Sequence, residues 1–337
     1  MKTKPYTIAT LGSHTALQIL KGARDEGFRT LVIATPDRVD FYRRFHFIDE
    51  ILGIADYHDI FGMEKQLSQR NIVLIPHGSF IAYLGIEGNK RLYIPYFGNK
   101  AVLDWEADRK RQLQWLEEAN LKVPRKFSRG DIIDRPVIVK SYGASGGTGY
   151  FVAHNQKDFE KKITRFTKKD FIVQEYIIGV PMYIHYFYSP ITKTVELMSI
   201  DRRYETNVDS LGRMPLAHQK HVDIPPSFVV VGNSPLSIRE SLMPEAYAMA
   251  ERLVAASRVL IDKRGLFGPF CLETIVTPDQ KFYVIEVSCR IVAGTNLFID
   301  SSPYASFFYD EPMSTGRRIA REIKIAVKKG NIDRLLS

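Results

Sequence analysis

The stretch that most constrains what this chain folds into is residues 136–151, PVIVKSYGASGGTGYF. A β-branched run, Val137 to Val139, reaches Lys140, passes Gly143, Gly146, Gly147 and Gly149, and resumes as an apolar strand at Tyr150. The pattern is strand, loop, strand. Four glycines within seven residues let successive backbone N–H groups converge on one anion, because no Cβ obstructs the unusual φ values or the close approach. Lys140, at the mouth of the loop, adds a compact charge suited to a phosphate oxygen. A Walker A loop and a Rossmann turn are both excluded, since each opens a helix and here a strand follows. A plain flexible hairpin turn satisfies the same glycines.

Before this loop the chain reads as an α/β domain. A strand over 6–11 ends in Gly12-Ser13-His14-Thr15, a helix over 16–26 closes at Gly27, and a second strand covers 28–35. The loop after the first strand of such a βαβ unit is where an open sheet receives ligand. A helix N-terminus with an imidazole beside it suits a phosphate, which marks His14; Ser13 or Thr15 serves equally as a simple cap. A strand over 71–76 repeats this plan with His77-Gly78-Ser79, making Ser79 a second candidate on the same rim. Residues 93–97 read as a last short strand, and the boundary falls near Gly98. Residues 99–120 read as one amphipathic stretch, with Arg109, Lys110 and Arg111 as solvated charges.

Beyond the glycine loop, 159–166 is predicted as helix and 171–176 as strand. Strands over 183–189 and 194–200 form a half-buried antiparallel sheet, followed by a solvated charged segment at 201–207. A short strand at 229–232, a long helix over 236–261 and a final helix over 316–336 complete the chain.

The second chemical signal is an acidic hairpin, 268–296. Strands at 270–276 and 282–290 flank the turn Thr277-Pro278-Asp279-Gln280. By alternation Glu273 and Glu286 share a face. Two carboxylates facing each other repel unless a cation lies between them, and Mg²⁺ bridging nucleotide phosphates accepts such a pair. Glu286, Ser288 and Arg290 project the same way. The chain has 337 residues, 45% hydrophobic and 25% charged, enough for two or three domains. Its net charge of +9 could mean nucleic acid but fits polyanionic small molecules equally well, because it is scattered, without a long basic tract or an aromatic RNA-binding signature; no nucleic-acid partner is expected. Neither a signal peptide nor a membrane span is read, and Cys271 and Cys289 are not predicted to pair, so a reducing cytoplasm is expected.

The order of parts, an α/β domain, a glycine-rich strand loop with lysine, a QEY strand and a late two-glutamate hairpin, resembles the ATP-grasp ligases. The phrases YFGNK, SIDRRYE, GPFCLE, RIVAGTN and STGRRIA narrow the resemblance, which covers the whole chain, to the archaeal formate-dependent ligases that make formylaminoimidazole carboxamide ribonucleotide (FAICAR). It implies an α/β (α+β) ATP-grasp fold: an N-terminal pre-ATP-grasp domain over 1–98, then an ATP-grasp domain over 99–337, with subdomains at about 125–180 and 181–337. It also implies that ATP phosphorylates formate and that aminoimidazole carboxamide ribonucleotide (AICAR) is the amine acceptor. His14, Ser79 and Asn233 would contact AICAR. Lys140, Arg109, Gly143, Gly146, Gly147, Gly149, the hinge Gln174-Glu175-Tyr176-Ile177 and Glu205 would hold ATP. Glu273 and Glu286 would ligate Mg²⁺, or Mn²⁺ in its place, and Arg290 and Lys140 would act on the transferred phosphate. Trimers or hexamers are implied too. The chain departs from typical members at Tyr142, Ser145 and Thr148, where they carry a histidine and two lysines. Ser288 stands where many ATP-grasp ligases carry a metal-binding asparagine. A paralogue with another carboxylate and amine, or a nucleotide-binding regulator without turnover, would carry the same landmarks.

Overall fold

A computed structural model of the chain describes residues 6–128, 130–141, 150–164, 166, 171–219 and 229–337. Three sheets organise them. The first is parallel, in the order β3-β2-β1-β4, with β1 Thr7–Leu11, β2 Arg29–Ala34, β3 Glu50–Gly53 and β4 Ile72–Leu74. Its inner strands are buried almost throughout, as parallel strands covered by helices require. The helix Ala16–Asp25 returns from β1 to β2 and stops where Gly27 turns to φ +84.

The second sheet is small and antiparallel: β5 Lys126–Phe127, β6 Val137–Ser141, β7 Tyr150–Ala153 and β8 Phe171–Glu175, in the order β5-β8-β6-β7. The helix Gln156–Ile163 covers it, capped by the Asn155 side chain accepting from the Asp158 N–H at 3.0 Å. Phe127, Ile133, Val137, Val139, Ala153 and Val173 form a core of its own.

The third sheet runs β11-β10-β9-β12-β13, with β9 Val180–Ser189, β10 Thr194–Glu205, β11 Val230–Pro235, β12 Gly268–Val276 and β13 Phe282–Ser288, all antiparallel. It is buried on both faces rather than one. Tyr186 donates its hydroxyl to Ala246 O on the helix Met243–Leu260, while its neighbour Phe187 lies under the Arg318 guanidinium of the helix Thr315–Lys328. Alternation along β9 therefore serves two covering helices, which is why His185 and Glu196 are buried. Glu196 is held there by two hydrogen bonds of 2.9 Å from Arg318.

Four local expectations are corrected. Residues 93–97 form no ladder but two isolated bridges, Leu74 with Tyr96 and Phe97 with Leu336, and Pro95 has no N–H to give one. The stretch 99–120 is two helices, Lys100–Ala107 and Arg109–Glu118, broken at Asp108, whose side chain accepts from the N–H groups of Lys110 and Arg111. The charged segment after residue 200 continues β10 to Glu205, and Asp201 is fully buried. The long helix starts at Met243, with Pro244 in its first turn.

The last helix closes on the first. Gly22 and Gly316 sit where any Cβ would collide with the facing backbone, so Ala16–Asp25 and Thr315–Lys328 meet main chain to main chain. Glu26 at this junction accepts from Arg317, Arg321 and Lys324. One continuous hydrophobic core runs through the first and third sheets.

Candidate active site

The acidic hairpin opens onto the cleft between the second and third sheets. Glu273 and Glu286 are register partners across β12 and β13. Burial, and then the Glu273 charge, push the Glu286 carboxyl up to about 7, against the pull of Arg109 and Lys140. Those two cations come from opposite sides: Arg109 begins the helix Arg109–Glu118 and Lys140 stands on β6. Lys140 is itself lowered, first by burial, while Glu286 draws it back up. Sequence reading thus named four groups that the fold gathers around one point.

Two neighbours were missed. Arg203 donates to Glu273 Oε1 at 3.1 Å and stacks 3.6 Å from the centre of the Tyr183 ring. Its signal was alternation, since Asp201, Arg203 and Glu205 share one side of β10 once the strand is allowed to continue. Glu106, at the end of Lys100–Ala107, holds Arg290 at 2.9 Å and accepts from the Cys289 N–H at 2.6 Å. Arg290 therefore does not stand free beside Glu286 and Ser288 as alternation suggested; it is braced by a carboxylate. Nothing in the sequence marked Glu106 among the other charges of its helix. Cys271 and Cys289 are both free thiols.

The loops after β1 and β4 form the opposite rim. His14 takes a left-handed backbone, φ +53, which is uncommon outside glycine and turns its ring over Gly78, where a Cβ would strike the imidazole. His77 lies parallel to His14, with centroids 5.8 Å apart and planes at 4°. It is fully buried: its Nε2–H donates to Leu11 O at 3.0 Å and its Nδ1 accepts from the Ser79 N–H at 3.2 Å. His77 thus joins the two loops that carry His14 and Ser79. Desolvation, then Arg290 and Arg203, lower His14 to about 4, and burial lowers His77 to about 3, so both imidazoles are neutral at pH 7. The Ser79 side chain does not cap its helix, and neither does Thr15.

Asn233 lies on β11 with its Nδ2 donating to Asp201 Oδ2 at 2.6 Å. Glu205 ends β10; burial and Asp209 raise it to about 7. In the hinge, the N–H groups of Glu175 and Tyr176 are already given to Arg125 O and Pro136 O, and the Glu175 carboxylate holds Arg135 at 3.1 Å. Gln174 lies on β8 and Ile177 is buried beyond it. Gly143, Gly146, Gly147 and Gly149, with Tyr142, Ser145 and Thr148, lie outside the described residues. Among the described residues no group of three or more His, Cys, Asp or Glu side chains is set to hold a metal; the acidic centre is a pair. A separate depression of 540 Å³ lined by Leu84, Glu87, Lys90, Asp104 and Arg111 holds none of these groups. Among the described residues no helix is long and apolar enough to cross a membrane.

A carboxylate pair faced by Lys140 of a small antiparallel lobe and by Arg109, with a parallel α/β domain on the far rim, defines an ATP-grasp enzyme, a ligase of the carbon–nitrogen bond-forming kind. An ADP complex of purK, an N5-carboxyaminoimidazole ribonucleotide synthetase, shares this fold with a TM-score of 0.66 at 13% identity, covering 96% of this chain and 77% of that one. The crystal structure of an IMP biosynthesis protein, PurP, from Thermococcus kodakaraensis superimposes with a TM-score of 0.79 at 30% identity, covering 98% and 100%. Residues 8–127 match the family described as "Protein of unknown function (DUF1246)" and 152–337 that described as "Domain of unknown function (DUF1297)". A 5-formaminoimidazole-4-carboxamide-1-(beta)-D-ribofuranosyl 5'-monophosphate synthetase of Pyrococcus horikoshii is 51% identical over 98% of this chain and 99% of its own. That of Saccharolobus solfataricus is 46% identical over 98% and 99%. The chain belongs to this family of FAICAR synthetases.

Proposed function

We propose that the protein formylates AICAR with formate and ATP, giving FAICAR, ADP and phosphate. The observation that carries this reading is the Glu273–Glu286 pair facing Lys140 and Arg109 across the cleft, in a chain whose relatives bear the synthetase name over their full length. Formate is a poor acyl donor because its oxygen leaves badly, and transfer of a phosphoryl group to that oxygen makes formyl phosphate, from which phosphate departs.

Lys140 and Arg109 would neutralise the nucleotide phosphates, with the glycine loop supplying backbone donors. Glu273 and Glu286 suit a hard divalent cation: two carboxylates in register, with Glu286 raised first by burial and then by the charge of Glu273, gain when a cation enters. Mg²⁺, or Mn²⁺ in its stead, would supply charge neutralisation at the transferred phosphoryl oxygens there. Arg290, braced by Glu106, would face the phosphate that leaves. His14, Ser79 and Asn233 would hold AICAR. A neutral His14 hydrogen-bonds its ligand without adding charge, and holding the amine in line with the acyl carbon is the larger part of the catalysis. Gln174 to Ile177 and Glu205 would border the nucleotide, with adenine read by groups other than the two N–H donors already used.

The same reading divides the chain near Gly98, puts the protein in the cytoplasm and has it assemble as trimers or hexamers. The exposed apolar side chains of Leu297, Ile299, Phe307 and Phe308 on the 293–308 segment support an assembly. Phosphate release with ATP, Mg²⁺, formate and AICAR, omitting each in turn, tests the reaction. Dependence on all four is expected. ATP binding without release would mark Tyr142, Ser145 and Thr148 as the signature of a different acceptor or of a regulator.

A further inference from the structure

Asp201 and His185 take no part in the steps above, yet they are among the most deeply buried polar side chains of the third sheet, 0% and 1% exposed. Both carboxylate oxygens of Asp201 are engaged: Oδ1 accepts from His185 Nε2 at 2.5 Å and Oδ2 from Asn233 Nδ2 at 2.6 Å. A carboxylate only accepts, so the Asn233 amide stands in one orientation, nitrogen toward Asp201 and oxygen away from it. The turned amide would set two acceptors against each other. Gly294 closes over the pair, where a Cβ would collide with both Asp201 and His185. The same turn, Ala293–Phe298, grips the far rim: Asn296 Nδ2 donates to His14 O at 3.0 Å, and Gln18 donates to Thr295 O. Asn233 and His14 therefore hang from one block.

We infer that Asp201, locked by His185, is a positioning residue that makes Asn233 a hydrogen-bond acceptor, so that this side of the site reads an N–H or O–H of the acyl acceptor rather than its phosphate. The inference rests on the function proposed above. AICAR carries amino, carboxamide and ribose hydroxyl donors, and an amide oxygen fixed in place rewards those and repels a phosphate oxygen.

The test exchanges the polarity of the pair. Asn233→Asp sets two carboxylates together and should raise the KM for AICAR roughly tenfold or more, with the KM for ATP unmoved. The double variant D201N/N233D restores one donor between the two positions and still turns an oxygen outward. It should return the KM for AICAR to within about threefold of the starting protein, as matched pairs do. If Asn233 instead donated to a substrate oxygen, the double variant, with no donor outward, would stay as weak as the single one, and the inference would be overturned. A merely structural Asp201 would move the melting temperature and both KM values together, which would overturn it equally. Should N233D fail to fold, the double variant decides by itself. An unaltered protein inert toward AICAR would remove the functional reading and this inference with it, an outcome distinct from an active enzyme indifferent to the exchange.

Discussion

The small sheet and the rest of the molecule are built differently. The second sheet closes over six buried residues of its own, whereas the first and third sheets share one core that runs from Ile8 to Leu335. Lys140 belongs to the small lobe. Glu273, Glu286, Arg203, His14 and Asn233 all belong to the large body. The difference teaches that the carboxylate pair, His14 and Asn233 are fixed by the global fold, while Lys140 rides on a unit whose local stability is set by a handful of side chains.

The contrast breaks hardest at the carboxylates. Glu286→Gln should lower kcat by about a hundredfold or more, since it removes charge where the proposed cation and phosphates would meet. It should leave the melting temperature of the metal-free protein equal or higher, because repulsion with Glu273 goes too; steady-state kinetics and calorimetry read both. Paired core truncations sharpen it next. Leu272→Ala in the shared core should cost about 2–5 kcal/mol of global stability in denaturant unfolding. Val139→Ala should cost the small lobe roughly 2 kcal/mol, seen as faster amide exchange over β6 to β8 and weaker ATP binding with the main transition unmoved. Equal global losses in both would mean that the lobes unfold as one.

A smaller effect is expected where the large body is stitched to itself. Gly316→Ala should cost about 1–3 kcal/mol by forcing the first and last helices apart. The smallest is a pH effect at the same junction. Burial alone would raise Glu26, but Arg321, Arg317 and Lys324 overcome it and bring its carboxyl from an ordinary 4.5 to about 2. A lowered acid contributes stability that is complete above its ordinary value and is lost as pH falls toward the folded one. The melting-temperature gap between the unaltered protein and Glu26→Gln should therefore hold from neutral pH down to about 5 and shrink toward pH 2.

Where local chemistry decides, the sequence was readable. Three of the four parallel strands declared themselves by apolar runs while β3 went unread, the hairpin declared itself by its Thr277-Pro278 turn, and the Glu273–Glu286 pairing by alternation alone. Where a residue's meaning depends on what covers it, reading failed. Strand β9 alternates like a one-faced strand, and nothing local announces that helices lie on both sides of it. Asp201 and Arg203 looked solvated because a charge run usually is, until β11 and the 293–298 turn came to lie against them. Glu106 and His77 escaped for the same reason: each acts on a partner far away in the chain, Arg290 and Leu11 respectively. The backbone contact of Gly22 with Gly316 is likewise invisible until two distant helices meet.

That contact has a consequence for how the protein is made. The helix Ala16–Asp25 is synthesised long before Thr315–Lys328, the helix that supplies the surface it packs against. Until Thr315–Lys328 has emerged, the first sheet must persist with one flank uncovered. Loss of the helix Thr315–Lys328 would thus injure the first sheet as much as the third.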